Sequence, residues 1–286
     1  MMFFLARLYA HIVHFSSRRL GLSLPGLGWL LRHSRGEHVL HIEGRKFLFS
    51  RHGASMYGVM VLGRYAEPET HRFLTDVLAA VATDIRFVDV GAAVGEIVMD
   101  MAGHALVREV VAIDPDEDNI RAMEGSAQLN GFANIRTIQA VMSDRPEAVH
   151  FLLNRNRGTS GHIARTAIVG SEIVQAMTLD GLLGVERATD ALKHILLIDV
   201  EGAEVKVLRG GRAFIQRHQP LIVFEFNALS KQYFNLDDVR EILGADYDIY
   251  RLRADGRLDE EFQDSWNCVA VSSESCFHDA CGSARV

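Results

Sequence analysis

The sequence predicts a doubly wound α/β domain: a mostly parallel sheet of seven strands whose final pair is antiparallel, preceded by an N-terminal helical and hairpin extension. Three observations predict it. Short runs rich in Ile, Leu and Val, almost without polar alternation, read as strands buried on both faces. Helix-period segments separate them, which implies parallel order and right-handed crossovers. The last two strand candidates leave no room for a full helix between them, so they close the sheet as an antiparallel pair. The 286 residues suit one large α/β domain with a small appendage. They divide into a helical extension (1–36), a hairpin and helix cap (37–82), the main domain (83–272) and a C-terminal tail (273–286).

Taken in order, Met1 to Phe15 is apolar but interrupted by Arg7, His11 and His14, which form one polar stripe with Arg18 on a helix. It reads as a helix packed on the domain or a second subunit. Contact with a membrane surface through residues 1–19 is the alternative. A signal peptide fits poorly, since no charge precedes the apolar stretch. Leu20 to Gly28 reads as an irregular linker. His38 to Ile42 and Lys46 to Phe49 flank Glu43-Gly44 as a hairpin. Glu67 to Ala82 starts a helix at Pro68, where proline is tolerated.

The alternation then begins. Strands are expected at Ile85 to Val90, Glu109 to Ile113, Ile135 to Val141, Ile195 to Val200 and Leu221 to Phe226. Helices are expected from Gly95 to Leu106, through Asn130, and from Ala203. Val149 to Leu153 and Val174 to Met177 read as an added hairpin. Tyr247 to Leu252 and Asn267 to Ser272 are the closing pair. The tail carries Cys276-x-His278-x-x-Cys281, which supplies three of the four ligands a zinc site needs, with only distant Cys268 for the fourth, and it reads as frayed.

The strongest local signal is Asp89-Val90-Gly91-Ala92-Ala93-Val94-Gly95. Gly91 lets the backbone bend close to a ligand, and Gly95 opens a helix whose amide dipoles face it. The spacing is not the G-x-G-x-x-G of a dinucleotide site, and Asp89 would repel pyrophosphate. It suits the ammonium and sulfonium of S-adenosyl-L-methionine. Asp114, 23 residues on from Gly91, ends the next strand where an acid accepts adenosine ribose hydroxyls. Capping of the following helix is the alternative for it, a job Asp116 also fits. Ser143 or Asp144, after the third strand, is expected to reach the adenine amino group, or else to form a turn before Pro146.

Ile198-Asp199-Val200-Glu201-Gly202-Ala203-Glu204 crowds three carboxylates at the end of the fourth strand. On an extended chain Asp199 and Glu201 share a face, and Glu204 enters the next helix. Glu204 is either an acceptor ligand or a partner of the helix dipole. Here the chain resembles the FkbM-type methyltransferases, through this run and Val207-Leu208-x-Gly210, Asp89 to Gly95, Asn130 with Asn134, Leu179-Asp180, Pro220 to Glu225, and Gly63-x-Tyr65-x-Glu67. The resemblance covers roughly residues 57 to 272. It implies a Rossmann-like class I methyltransferase that uses S-adenosylmethionine, typically to methylate a hydroxyl of a sugar, glycan or natural product. The chain departs from it at Leu197, where the family usually has Lys, and at Asp114, where it usually has Glu.

An alcohol has a pKa far above 7, so proton removal should assist transfer. Asp199 and then Glu201 are the expected site acids, His162 in a glycine-containing loop a candidate base, and Glu225 a candidate acceptor ligand. A divalent metal at Asp199 and Glu225 is compatible with the spacing but not demanded by it, so no metal is expected. Competing classes are a non-catalytic scaffold that keeps a nucleotide pocket, and an NAD-dependent oxidoreductase, which the glycine spacing and antiparallel ending disfavour. A net charge of −7 gives no field that draws nucleic acid. Three cysteines, all near the C-terminus, fit a reducing, cytoplasmic compartment. Homo-oligomerisation stays open.

Overall fold

A computed structural model describes residues 39–48, 60, 63–153, 161–164, 171–184 and 191–285. The helix expected at residues 1–19 lies outside these. Val39–Ile42 (β1) and Arg45–Leu48 (β2) form the expected antiparallel hairpin, turned by left-handed Glu43 and Gly44. Pro68–Ala80 (α1) follows, with proline in its first turn. The alternating core is Ile85–Val90 (β3), Glu96–Ala102 (α2), Val107–Asp114 (β4), Glu117–Asn130 (α3) and Ile135–Gln139 (β5).

An insertion comes next: Val141–Met142 (β6), Ala148–Leu153 (β7), Gly161–Ala164 (β8), Glu172–Met177 (β9) and Leu179–Leu183 (α4). The core resumes with Lys193–Ile198 (β10), Glu204–Gly210 (α5), Arg212–His218 (α6), Leu221–Glu225 (β11) and Leu236–Leu243 (α7). It closes with Tyr247–Leu252 (β12), Leu258–Asp259 (β13), Asn267–Ser272 (β14) and His278–Ser283 (α8).

The main sheet runs β13-β12-β14-β11-β10-β3-β4-β5. It has eight strands rather than the expected seven, because two-residue β13 extends the edge beside β12. β14 runs antiparallel between β11 and β12, as the missing helix implied. Alternate strand residues serve two cores. Phe87, Ile195 and Leu197 pack on the face covered by α1, α2 and the hairpin. Val88, Leu196 and Ile198 pack on the face covered by α5, α6 and α7. Large buried side chains such as Phe73, Phe87 and Phe214 each contribute about 2–3 kcal/mol of burial.

Three expectations are corrected. The third strand does not run through Val141: the main-sheet strand stops at Gln139, and Val141–Met142 leaves to pair with β9 in a four-stranded sheet ordered β6-β9-β7-β8. The added hairpin is real as β7 against β9, but β8 also pairs with β7 on its other side. The tail is not frayed. Phe277, Ala280 and Cys281 recur at helical spacing and bury themselves in the first core. Among the described residues, no helix is long and apolar enough to cross a membrane.

The paired asparagines gain a structural role. Asn130 bonds both backbone groups of Lys46, which ties the hairpin to α3. Asn134 donates to Ala102 and Val107 carbonyls, both 3.1 Å away, and so joins the end of α2 to the start of β4. Asp180 accepts the Ala213 and Phe214 N–H groups at the start of α6, satisfying donors that the helix itself leaves open.

Candidate functional site

The loop after β3 holds Gly91, Ala93 and Gly95 in left-handed backbone. Gly91 has a second constraint, since a Cβ there would stand 1.7 Å from the carbonyl oxygen of Asp199. Backbone N–H groups of Gly91 and Ala92 donate to the Ile113 carbonyl. The Ala93 N–H donates to Asp114 Oδ2 at 2.9 Å. Asp114 Oδ1 accepts from the Asp116 N–H at 2.8 Å and from Asn119 Nδ2 at 3.1 Å. Asp116 itself caps α3 by accepting the Asp118 N–H, so Asp114 is not the helix cap. Three of about four acceptor positions on the Asp114 carboxylate are thus filled, which leaves room on Oδ2 for one hydroxyl rather than two. Burial raises its pKa to about 7. Asp89 is buried inside β3, and burial reinforced by Glu67 and Asp114 pushes its carboxyl well above the ordinary range.

The acidic run is a turn, not an extended chain. β10 ends at Ile198, the Asp199 N–H donates to the Val90 carbonyl, and Glu201 and Gly202 adopt left-handed backbone. Alternation on a strand therefore does not bring Asp199 and Glu201 together; the chain reversal does. Glu204 is 0% exposed. Its Oε1 accepts the N–H groups of Val200 and Gly202, both at 3.1 Å, and its Oε2 has no hydrogen-bond partner among the described residues. That geometry makes Glu204 the clip of the turn.

Glu225 ends β11, beside β10, and accepts from Asn227 Nδ2 and from the Ser230 hydroxyl. One carboxylate oxygen each from Asp199, Glu204 and Glu225 lies within 4.8 Å of the others, a spacing that a hard divalent cation can share. Burial, with repulsion from Glu225, pushes Asp199 well above the carboxylate range. Burial, with repulsion from Glu201 and Glu204, raises Glu225 to about 8.

Both turns open on one cavity of about 480 Å³, lined by Gly91 and Ala93, by Asp199 and Glu201, by Glu225, and by Glu67, Glu69 and Trp266 among others. Sequence reasoning missed Glu69 and Trp266, and took Glu67 only as part of a family match. Glu67 accepts from Thr70 Oγ and from Asn267 Nδ2 at 2.8 Å. Its segment is held by a buried ionic clamp. His71 places Nδ1 2.9 Å from Asp100 and Nε2 3.1 Å from Glu96 Oε1. Glu96 Oε1 also accepts the N–H groups of Ala66 and Glu67. Tyr65 stacks on the His71 ring at 3.6 Å. Burial alone lowers the His71 pKa, but hydrogen bonds to Asp100 and Glu96 outweigh it and raise it to about 9.

Ser143, Asp144 and His162 are the other expected site residues. Ser143 is buried, its hydroxyl rests on the Asp144 carboxylate, and its carbonyl packs where Gly210 in α5 has no Cβ. Neither Ser143 nor Asp144 lines the cavity. His162 pairs with Leu152 in β8, at the outer edge of the small sheet, and its side chain lies outside the described residues.

A family model described as a methyltransferase FkbM domain matches residues 89–252. Among solved structures, the chain is similar to a methyltransferase FkbM from Methylobacillus flagellatus KT, with 17% identity, a TM-score of 0.45, and coverage of 66% of this chain and 43% of that one. It therefore spans less than half of that relative's length. It is also similar to a precorrin 8W decarboxylase from Methanobacterium thermoautotrophicum, at 19% identity, TM-score 0.40, and coverage of 71% and 89%. TYW2 of M. jannaschii in complex with AdoMet matches at 12% identity, TM-score 0.41, and 88% coverage of both chains. No curated protein matches the sequence.

Proposed function

The chain belongs to the FkbM methyltransferase family, and from that premise we propose that it transfers a methyl group from S-adenosylmethionine to a hydroxyl of a sugar, glycan or natural product. Its sheet is the Rossmann-like architecture of class I methyltransferases. The observation that carries the reading is the shared cavity, into which the glycine loop and the acidic turn both open. The residues fit the donor. Gly91 and Ala93 bring bare backbone to the wall, and the adjoining carboxylates suit a sulfonium and an ammonium. Asp114 does not line the cavity itself but holds its Ala93 wall through the Ala93 N–H, and keeps one acceptor position for a ribose hydroxyl. When bound, the donor supplies an already activated methyl group for in-line displacement.

The protein's task is then alignment, exclusion of water, and removal of the acceptor proton. Asp199, Glu201 and Glu225 face the cavity. Burial raises both Asp199 and Glu225 above the ordinary carboxylate range, and a carboxylate of raised pKa is, once ionised, a stronger base than an ordinary one. We assign proton acceptance to Asp199 or Glu201, and hydrogen bonding to the acceptor to Glu225. The same concentration of acid disfavours a phosphodiester and so supports a small-molecule or glycan acceptor over nucleic acid. Calorimetry with S-adenosylmethionine, S-adenosylhomocysteine and NAD tests the cofactor: the first two should bind and NAD should not. Comparison of methylated glycans and lipids in cells with and without the gene tests the reaction. Donor binding with no methylated product in any comparison would favour the scaffold reading instead.

A further inference from the structure

Trp266 is 56% exposed and presents a large apolar side chain at the surface. Its backbone is not loose. The Trp266 carbonyl accepts the Phe226 N–H at 2.8 Å, and buried Ser265 beside it donates to the Phe226 carbonyl at 2.7 Å. The indole is therefore carried on a fixed stretch of chain entering β14, so that binding a ligand there orders a side chain and not the backbone. It forms part of two cavities. One is the acidic cavity described above; the other, of about 440 Å³, is lined by Arg251, Arg253, Asp255 and Asp264. Glu69 and Trp266 line both. Each volume falls in the range of about 300–1,000 Å³ usual for small-ligand sites.

The second cavity carries charged side chains beside apolar Leu252, Ala254 and the Trp266 indole, and is not basic. Arg251 donates from Nε to Asp259 at 2.8 Å, and Arg253 pairs with Asp255 and Asp259, both at 3.3 Å. With both guanidinium groups neutralised and Asp264 added, no surplus positive charge remains to recognise a phosphate or a carboxylate. What remains is a rim of N–H donors and carboxylate acceptors beside an indole face. That combination recognises a neutral ring with hydroxyls on its edge and C–H groups on its face. On the methyltransferase reading above, we propose that the acceptor is an oligosaccharide of at least two rings, that its reacting ring occupies the acidic cavity, and that Trp266 stacks on the next ring, whose hydroxyls meet the Arg253 and Asp264 cavity.

The test uses the full chain saturated with S-adenosylhomocysteine, screened on an array of neutral and charged glycans. Calorimetry and tryptophan fluorescence then compare the tightest oligosaccharide with its component monosaccharide. The expected result is at least tenfold tighter binding of the oligosaccharide, with quenching or a shift of indole emission. Trp266→Ala should cost at least tenfold, Trp266→Phe should restore most of it, and Asp264→Asn should cost about threefold. Circular dichroism checks that each variant is folded. Equal affinity for the monosaccharide, an oligosaccharide affinity indifferent to Trp266→Ala, or no glycan bound by protein that holds S-adenosylhomocysteine would each overturn the proposal. Failure of S-adenosylhomocysteine itself to bind would instead overturn the methyltransferase reading.

Discussion

The Gly91–Gly95 loop and the Asp199–Glu204 turn lie side by side at the ends of β3 and β10, and both force residues into left-handed backbone. They differ in what the strained backbone presents. In the first, it presents main chain: the Ala93 N–H is tied to Asp114, and Gly91 exists so that the Asp199 carbonyl can approach. In the second, it presents side chains, with Asp199 and Glu201 at the cavity while Glu204 turns inward to clip the bend. On the proposed reading one turn binds and the other reacts, and the contact between Gly91 and the Asp199 carbonyl makes each a condition of the other.

The sharpest separation comes from the acidic turn. Asp199→Asn and Glu201→Gln keep shape and remove charge, and at least one should reduce turnover by about 10²–10⁴-fold, the usual worth of a proton acceptor, with the melting temperature held or raised. Full turnover in both variants would make this turn structural. Gly91→Ala attacks the contact itself. Overpacking against the Asp199 carbonyl and strain at a positive φ should together cost about 3 kcal/mol of stability in urea titration. A neutral result would show that the two turns are not coupled.

Asp114→Ala should weaken S-adenosylmethionine binding by about 1.5–3 kcal/mol, since it removes a hydrogen bond to a charged group and frees the Ala93 N–H. Unchanged calorimetric affinity in a folded variant would remove Asp114 from the cofactor site. The rim clamp gives a pH signature. The His71 pKa is raised on folding to about 9, so its stabilisation is complete below the unfolded value of about 6.5 and is lost as pH rises through about 9. His71→Gln should therefore cost about 2 kcal/mol at pH 6 and much less at pH 9.5. A cost independent of pH would mean that packing against Tyr65, not charge, holds the rim. The smallest effect is expected at Glu225, raised to about 8. Its carboxyl costs nothing below the unfolded pKa of about 4.3 and progressively destabilises the fold as pH climbs toward 8. Glu225→Gln should gain about 1 kcal/mol at pH 8 and nothing at pH 4; a gain at both would refute the assignment to charge.

The hairpin was legible because Glu43-Gly44 is a turn with its own local chemistry, and β3 and β10 because unbroken apolar runs mark strands buried on two faces. The antiparallel ending was legible from spacing alone. The break at Ala140 was not, since an apolar run does not reveal that its last two residues leave one sheet for another. The helical tail was obscured by its cysteines and histidine, although Phe277, Ala280 and Cys281 carried the apolar spacing of a packed helix.

By itself the sequence determined the alternating order of elements, the glycine loop after β3, and the three carboxylates after β10, because strand burial, tight turns and local acidity depend on residues close together in the chain. Only the tertiary structure decided which carboxylates face the cavity and which is clipped inside. It also decided that Glu67 joins them and that Trp266 stands beside them. The physical reason is distance along the chain. Asn267 holds Glu67 from 200 residues away, and His71 finds Glu96 and Asp100 at separations of 25 and 29. Contacts of that range are set by how sheets and helices pack, and no local pattern in the sequence encodes them.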